Sequence, residues 1–527
     1  MSKRNIAIVP NAVALACALT VAHMGSAWAQ TAANNDTLKL DELVVTGTAS
    51  GASKMKQSNS ISTVGVDQIL QAQPTNSADI LRSIPGVRSE SSGGGGNANV
   101  TVRGLPISAG GARYVQFQED GLPVMLFGDV AFATPDMFLR ADGSLERLEV
   151  VRGGSASTLG TNAPGGIINF ISKTGDEPGG SVGISTGLGY DEKRFDFDYA
   201  GKLSDKTRFF VGGYTTSGQG PRNAPANGIQ GHQIKANITQ ELDNGFVRLS
   251  FKSLDDKSPL FMPAPVSIKN GVISELPGID PRKATFYSPY WVADATLTKN
   301  NTMVNSNVND GLRVKNNAIG FETELKLANG WKLSEKFRIA ENSGRFISIF
   351  PADDVANAAA GTKYATGPKK GQNYTGKAFT ATVFNTSMDD MGATTNDVKL
   401  SKTFAQADGS KITTTAGLFV NVQQVGLTWN FNQYLMEATD NNPALLANAS
   451  TNAYGASALG TNVWGGCCTR AIDATYRTTS PYAVLGWEKG AWTFDGSIRA
   501  DQQVATGSYN QASNNAFKPE NAQAINY

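Results

Sequence analysis

The chain has 527 residues, with 46 Lys and Arg against 45 Asp and Glu, 56 Gly, 3 Cys and 2 His. So even a balance supplies no bulk field for a polyanion, which argues against a nucleic-acid partner. Only 17% of residues are charged and mean hydropathy is still below zero. The polarity is therefore carried by Asn, Gln, Ser, Thr and Gly, as in a β-protein with one wet face.

Residues 1–29 read as a cleaved secretory signal: Lys3-Arg4, an apolar stretch from Ile6 to Ala22, then Ser26-Ala27-Trp28-Ala29 as the small-residue end. An N-terminal anchor and a poor lipoprotein box at Ala14-Leu15-Ala16-Cys17 are the competing readings, and all of them imply export. Past Ala29 no run of 18 apolar residues occurs, so the rest of the chain offers no spanning helix and is either soluble or a membrane barrel. Cys467 and Cys468 are adjacent, which makes a strained small ring and not a disulfide scaffold.

Residues 30–60 are small, polar and without period, apart from the apolar island Glu42-Leu43-Val44-Val45-Thr46. This stretch is either a flexible tail carrying one β-prone segment or the lead-in to the next domain's first strand. Residues 61–178 mix signals. Ser77 to Ile84 has helical spacing and stops at Pro85-Gly86, while Asn99 to Gly104 alternates like a strand, so a small α/β globule is predicted. Gly93 to Gly96 break it with a loop that lacks the Lys-Ser/Thr continuation of a phosphate-binding motif.

From residue 179 to 527 the pattern becomes period-two segments of about ten residues, such as Arg194 to Tyr199, Phe246 to Lys252 and Phe321 to Leu327. Short turns at Leu203 to Lys206, Asp243 to Gly245, Asn329-Gly330, Ala407 to Ser410 and Lys489-Gly490 alternate with longer polar excursions. Those excursions are Ser217 to Gly228, Ser258 to Asn316, Ser348 to Thr395, Trp429 to Thr475 and Thr506 to Lys518; the first connection, Tyr190 to Lys193, is short. Short–long alternation is the mark of an up-and-down transmembrane β-barrel whose turns face the periplasm. About eleven antiparallel strands are expected, with the start of a twelfth at Asn521 to Tyr527. Apolar residues would face lipid and polar ones a wet lumen, which the α/β globule would fill.

The residues of the globule then resemble a known family, the TonB-dependent receptors. The resemblance runs through Ile84-Pro85-Gly86-Val87, Val102-Arg103-Gly104, Glu119 to Val124, Leu145 to Gly153, Leu159-Gly160, Gly165 to Phe170 and Lys173-Thr174. It implies an N-terminal plug (61–178) in a barrel of about 22 strands, of which 179–527 would be a part. The chain is thus expected to be a C-terminally truncated piece, because a half sheet leaves two open edges that a bilayer does not tolerate. Asp41-Glu42-Leu43-Val44-Val45-Thr46 resembles the family's TonB box, which adds as a strand to TonB of the inner-membrane energy-transducing complex. Gly104, Gly121, Gly153 and Gly165-Gly166 are where a plug must turn tightly, and Arg103, Arg152 and Glu149 are expected to bridge plug and wall.

The implied function is TonB-dependent import across the Gram-negative outer membrane of a scarce solute. A ferric siderophore or other iron complex leads, with haem, cobalamin or a glycan behind; outer-membrane lipid and lipopolysaccharide are the surroundings. The alternative is a passive porin, which has no use for a plug or a box. Plug loops 91–98 and 127–136 are the expected apex, so Ser92, Gly94, Asn97, Phe127, Asp129 and Phe132 are the candidate solute contacts. Phe261, Tyr287, Tyr290, Trp291, Phe350, Tyr374, Tyr434 and Trp464 are candidate exposed aromatics. No enzyme, cofactor or metal site is expected: His232 stands alone on a strand, and no His-Glu-x-x-His, nucleophile-elbow or Walker pattern is convincing.

Overall fold

The computed structural model describes residues 43–47, 51–54, 59–72, 74, 76–91, 94–106, 111–128, 130–154, 158–222, 224–225, 228–261, 264–452, 456, 469–513 and 516–527. The signal-like segment 1–29, Asp41, Glu42, Trp464, Cys467 and Cys468 lie outside them. No helix among the described residues is long and apolar enough to cross a membrane.

The globule begins with two short strands, β1 (Leu43–Val44) and β2 (Ala52–Ser53), paired antiparallel. Then come β3 (Ile61–Gly65), α1 (Val66–Ala72) and α2 (Ser77–Leu81), the last capped by the Asn76 side chain, which accepts from the Asp79 N–H at 3.2 Å. β4 (Val87–Glu90) and β5 (Asn99–Val102) form a separate hairpin. β6 (Val115–Glu119), β7 (Leu122–Pro123), β8 (Leu145–Arg152) and β9 (Gly166–Ser172) complete a mixed sheet of order β3-β8-β9-β6-β7, in which only β6 and β9 run parallel. Phe117, Leu148, Val150, Ile168 and Phe170 from this sheet pack on Ile69, Ile80, Leu81 and Ile84 from the helical side. Gly166 shows why a glycine is required at the β9 entry: its φ is +140°, and a Cβ there would lie 2.0 Å from the Val151 carbonyl oxygen.

The remainder is one large antiparallel sheet whose neighbours follow chain order. Its strands are 179–186, 192–204, 207–218, 229–242, 245–258, 312–326 and 331–351, then 377–390 with 393–405, 411–437, 470–489, 492–499 with 502–511, and 522–526. In 377–405 and 492–511 two strands share one position in the wall, each pair flanked by the same neighbours where both are present. The alternation is physical. On strand 229–242, Ile234 and Ile238 are exposed while Gln233, Lys235 and Thr239 are buried; on 179–186, Val182 and Ile184 are 76% and 85% exposed. Exposed aliphatics in period two are what a lipid-facing surface requires. Among the described residues 179–186 pairs only with 192–204 and 522–526 only with 502–511, so the sheet does not close on itself.

The long excursions are shorter than the sequence pattern suggests. Strands run on to Pro351, back from Lys377, on to Glu437, back from Arg470, and through Gln502–Gln511. One-faced alternation fails there because protein covers both faces. Ile347, Ile349, Val383 and Met436, on one face, pack on Tyr287, Trp291 and Leu445 of the connections, while Phe346, Phe384, Trp429 and Phe431 occupy the other. Tyr287, Trp291, Tyr374 and Tyr434, expected as exposed, are consequently buried.

The globule sits against the polar face of the wall through ion pairs that the sequence pattern did not assign. The Glu119 carboxylate meets Lys235 Nζ at 2.9 Å, Lys252 Nζ at 3.0 Å and Arg338 at 4.0 Å. Arg140 pairs with Asp256 at 2.6 Å, Lys173 with Asp198 at 3.1 Å, and Gln233 donates to Asp142 at 2.7 Å. Arg103, Arg152 and Glu149 do not make such bridges among the described residues. Arg147 and Glu149 pair within the globule, and Arg152 donates to the Pro85 carbonyl. Glu149 on β8 instead faces the 45–46 segment, and Arg152 at the β8 end faces the Pro85 turn.

Burial would raise the Glu119 carboxyl, but Lys235, Lys252 and Arg338 outweigh it and hold it well below the usual carboxylate range. A depressed folded value contributes stability above the unfolded carboxylate range, lost only as pH falls through the folded value. The seat should therefore hold from neutral pH down to about pH 4. Glu119→Ala, which strands buried cations, should cost about 3–5 kcal/mol of globule–wall association, read as a lower urea midpoint for proteolysis of the globule. An unchanged midpoint would remove Glu119 from this role.

Candidate functional site

Two ends of the globule differ in chemistry. The first lies near the short turns. Val44 is fully buried with Ile61, Val151, Ala163 and Ile167. The Val45 and Thr46 N–H groups both donate to Glu149 Oε2, at 3.0 and 2.8 Å, and Asn169 Nδ2 donates to the Thr46 hydroxyl at 2.8 Å. Arg147 holds the other oxygen of Glu149 at 2.8 Å. The segment expected to sit in a flexible tail is thus docked where it is described, because one buried carboxylate satisfies two of its amides and one valine completes a small core.

The second end faces the long connections. Ala131 and Phe132 both have left-handed backbone, φ +52° and +67°, an arrangement costing about 1–3 kcal/mol per residue unless the surroundings impose it. They do: Thr386 donates to the Ala131 carbonyl at 2.7 Å and Asn97 Nδ2 to the Phe132 carbonyl at 2.8 Å. Asp136 ties the neighbouring loops together, accepting from Ala98 N–H at 2.9 Å, Thr134 Oγ1 at 2.6 Å and Ser77 Oγ at 3.2 Å. Its burial pushes the carboxyl up despite these donors.

So held, the Phe132 ring stacks on Phe346 at 4.7 Å, lies 5.7 Å from Phe384 and meets Trp429 edge-on at 5.6 Å. Phe350 and Phe431 extend the surface through Phe384, at 4.4 and 4.8 Å. Arg470 lies over Trp429 at 4.3 Å, and its Nε and the indole Nε1 are buried without hydrogen-bond partners among the described residues. Beside this surface Phe127 stacks on Tyr476 at 4.4 Å, on the rim of a cavity of about 500 Å³. Gln423 fixes that loop, accepting from Leu126 and Phe127 N–H at 2.8 and 3.0 Å and donating to the Phe127 carbonyl at 2.6 Å.

Residues 53–167 match the family model described as the TonB-dependent Receptor Plug Domain. The chain carries a TonB-dependent receptor plug against a wall of the receptors' barrel fold. Over 190 residues it is 29% identical to the ferric enterobactin receptor PirA of Pseudomonas aeruginosa, covering 33% of this chain and 25% of that protein. Over 187 residues it is 28% identical to the vitamin B12 transporter BtuB of Photobacterium profundum, covering 35% and 28%. The closed form of the ferric-catecholate import receptor Fiu from E. coli K12 superposes with a TM-score of 0.57 at 15% identity, over 91% of this chain and 62% of that one. The matched regions span only about a quarter to a third of the curated relatives' length.

Of the residues expected to touch solute, Phe132 lies in the aromatic surface and Phe127 beside it, on Tyr476. Asn97 is buried and braces Phe132. Gly94 is packed beneath the 258–260 segment, where a Cβ would come 2.9 Å from the Pro259 carbonyl oxygen. Ser92 and Asp129, like Asp41 and Glu42 of the box, lie outside the described residues. The sequence reading missed Phe346, Phe384, Trp429, Phe431, Arg470 and Tyr476, although aromatic residues in period two at 429 and 431 were the available signal.

Glu149→Ala should undock the plug's N-terminal segment. Two buried amides lose their acceptor at about 1–3 kcal/mol, so amide exchange at Val45 and Thr46 should quicken about tenfold or more, read by hydrogen-exchange mass spectrometry. Unchanged exchange would show that the valine contacts alone hold it.

Proposed function

We propose that this protein imports a scarce solute across the Gram-negative outer membrane in a TonB-dependent manner, after export by a cleaved signal. The observation that carries the reading is the division of labour on one plug: a β-prone segment at the short-turn end and a solute-sized aromatic surface at the other. TonB would pair with residues 41–46 as an added strand, main-chain hydrogen bonds supplying affinity. The solute would settle on Phe132 and the wall aromatics from outside, and lipid and lipopolysaccharide would surround the exposed aliphatic face. A passive porin leaves the plug and the docked segment unexplained.

The solute class follows from the surface. Flat rings at 4.4–5.7 Å spacing favour stacking with other rings, and a guanidinium lying on Trp429 adds a donor for an anion. Ring-bearing, anionic ferric catecholates combine both features, with iron as cargo. The PirA and Fiu names support that choice, while BtuB keeps cobalamin as the second reading.

Deleting residues 41–46 should abolish radio-iron uptake from a ferric catecholate while leaving binding to de-energised cells within about twofold. Uptake that persists at low external solute would sink TonB dependence. Trp429→Ala should weaken surface binding of the same complex about tenfold, since a stacked ring contributes about 0.5–1.5 kcal/mol beyond its buried area. Binding unchanged in that variant would move the site away from the aromatic surface.

A further inference from the structure

Below the aromatic surface, between β6–β7 of the plug and strands 229–258, 312–338 and 393–401 of the wall, lies a second cavity of about 320 Å³. The docked segment contributes Val45, Thr46 and Gly47 to its lining, which places it at the short-turn end, beyond the plug for anything arriving from outside. The cavity therefore stands where a solute would be after leaving the apical surface.

Its charges do not balance. Lys235 and Lys252 share the single carboxylate Glu119. Arg338 spends its guanidinium on carbonyls, donating to Glu119 at 3.2 Å and Leu122 at 3.3 Å, with Glu119 Oε2 no nearer than 4.0 Å. Lys336 and Arg248 share Glu322, at 3.1 and 2.6 Å, and Lys332 takes Glu324 at 2.6 Å. Asp397 is occupied by the Tyr482 hydroxyl at 2.9 Å, and both Asp120 oxygens by Ser172, at 2.7 and 2.9 Å. That leaves Lys399, half-buried on strand 393–405. It lines the cavity with no carboxylate within 4.0 Å among the described residues. Asp397 and Glu324 act on it only at longer range.

A cation withdrawn from water and left without a counter-ion favours any anion that can reach it. The cavity walls focus the field of the surplus charges into a space that holds a compact multivalent anion. The carboxylates present are already shared or hydrogen-bonded, so they compete weakly for Lys399. A merely structural cluster would be expected to pair every cation in its lining, as Arg140 and Lys173 are paired elsewhere on the plug.

We propose that this cavity is an anion-binding station on the inner side of the plug, with Lys399 as its primary docking cation, which takes the anionic groups of the solute in transit. The proposal rests on the import reading for the direction of travel, whereas the anion site itself can be tested without transport.

Pyrophosphate serves as the probe, titrated calorimetrically into the full-length receptor in detergent at low salt, with glycerol as the uncharged control. Pyrophosphate should bind, with affinity falling as salt rises, and glycerol should not. Lys399→Met should weaken binding about tenfold or more, Lys399→Arg should restore most of it, and Lys489→Met, which removes an exposed cation at a short turn, should leave it unchanged. No pyrophosphate binding, or equal weakening by Lys489→Met, overturns the station. In cells, Lys399→Met should lower the maximal uptake rate of the ferric catecholate severalfold with surface affinity unchanged; probe binding lost with uptake intact overturns the transit role. If box deletion leaves uptake intact while pyrophosphate still depends on Lys399, the import reading falls and the anion site stands.

Discussion

Hydrocarbon offers no hydrogen bonds, so each backbone amide of a membrane-crossing strand must be paired with a neighbouring strand, at several kcal/mol for each one left unpaired. The rest of this structure follows from that requirement. It forces long antiparallel pairing in chain order, and because side chains alternate, it dedicates one face of every strand to lipid and the other to a polar interior. The exposed Val182, Ile184, Ile234 and Ile238 and the buried Gln233, Lys235 and Thr239 are the two sides of one constraint. A polar interior has to be filled or left wet, and the plug fills it.

How the plug is held differs along its height. Toward the long connections it shares an apolar core with the wall, through Met137 and Phe138 against Leu254, Leu312 and Val314. Toward the short turns its contacts are ionic and hydrogen-bonded, centred on Glu119, and the buried Arg140–Asp256 pair adds one such contact near the long connections. Apolar packing resists sliding only while surfaces stay matched, whereas charge-assisted hydrogen bonds can be exchanged one at a time for water or for a passing anion. The short-turn end, where the N-terminal segment docks, is thus built from exchangeable contacts. The end that must present rigid rings is built from packing and from a strained turn braced by Asn97 and Thr386.

Two amides on one carboxylate oxygen, with an arginine on the other, is a compact arrangement whose cost of breaking is concentrated in a few bonds. A strand-adding partner offers the same amides replacement acceptors along a whole edge, so docking and pairing compete for the same donors.

Periodicity alone determined that this is a wall of antiparallel strands with short turns at one end, because a period of two and Asn-Gly or Asp-Gly turns are local properties of the chain. The ordered plug motifs determined that an α/β domain precedes the wall. The sequence also singled out the loop 127–136, as one of the longest Gly-rich and aromatic loops of a plug, and Phe127 and Phe132 of that loop meet wall aromatics. Only the tertiary structure decided the remainder. Phe346, Phe384 and Trp429 come from separate strands and meet at Phe132, with Arg470 of a fourth strand on Trp429, through register, a non-local quantity. Tyr287 and Tyr434 looked exposed and are buried, because the long connections fold onto the wall's other face. Glu119 carries no sequence signature of its role: its cations lie at least 116 residues away, and only the seating of one domain in another brings them within hydrogen-bonding distance.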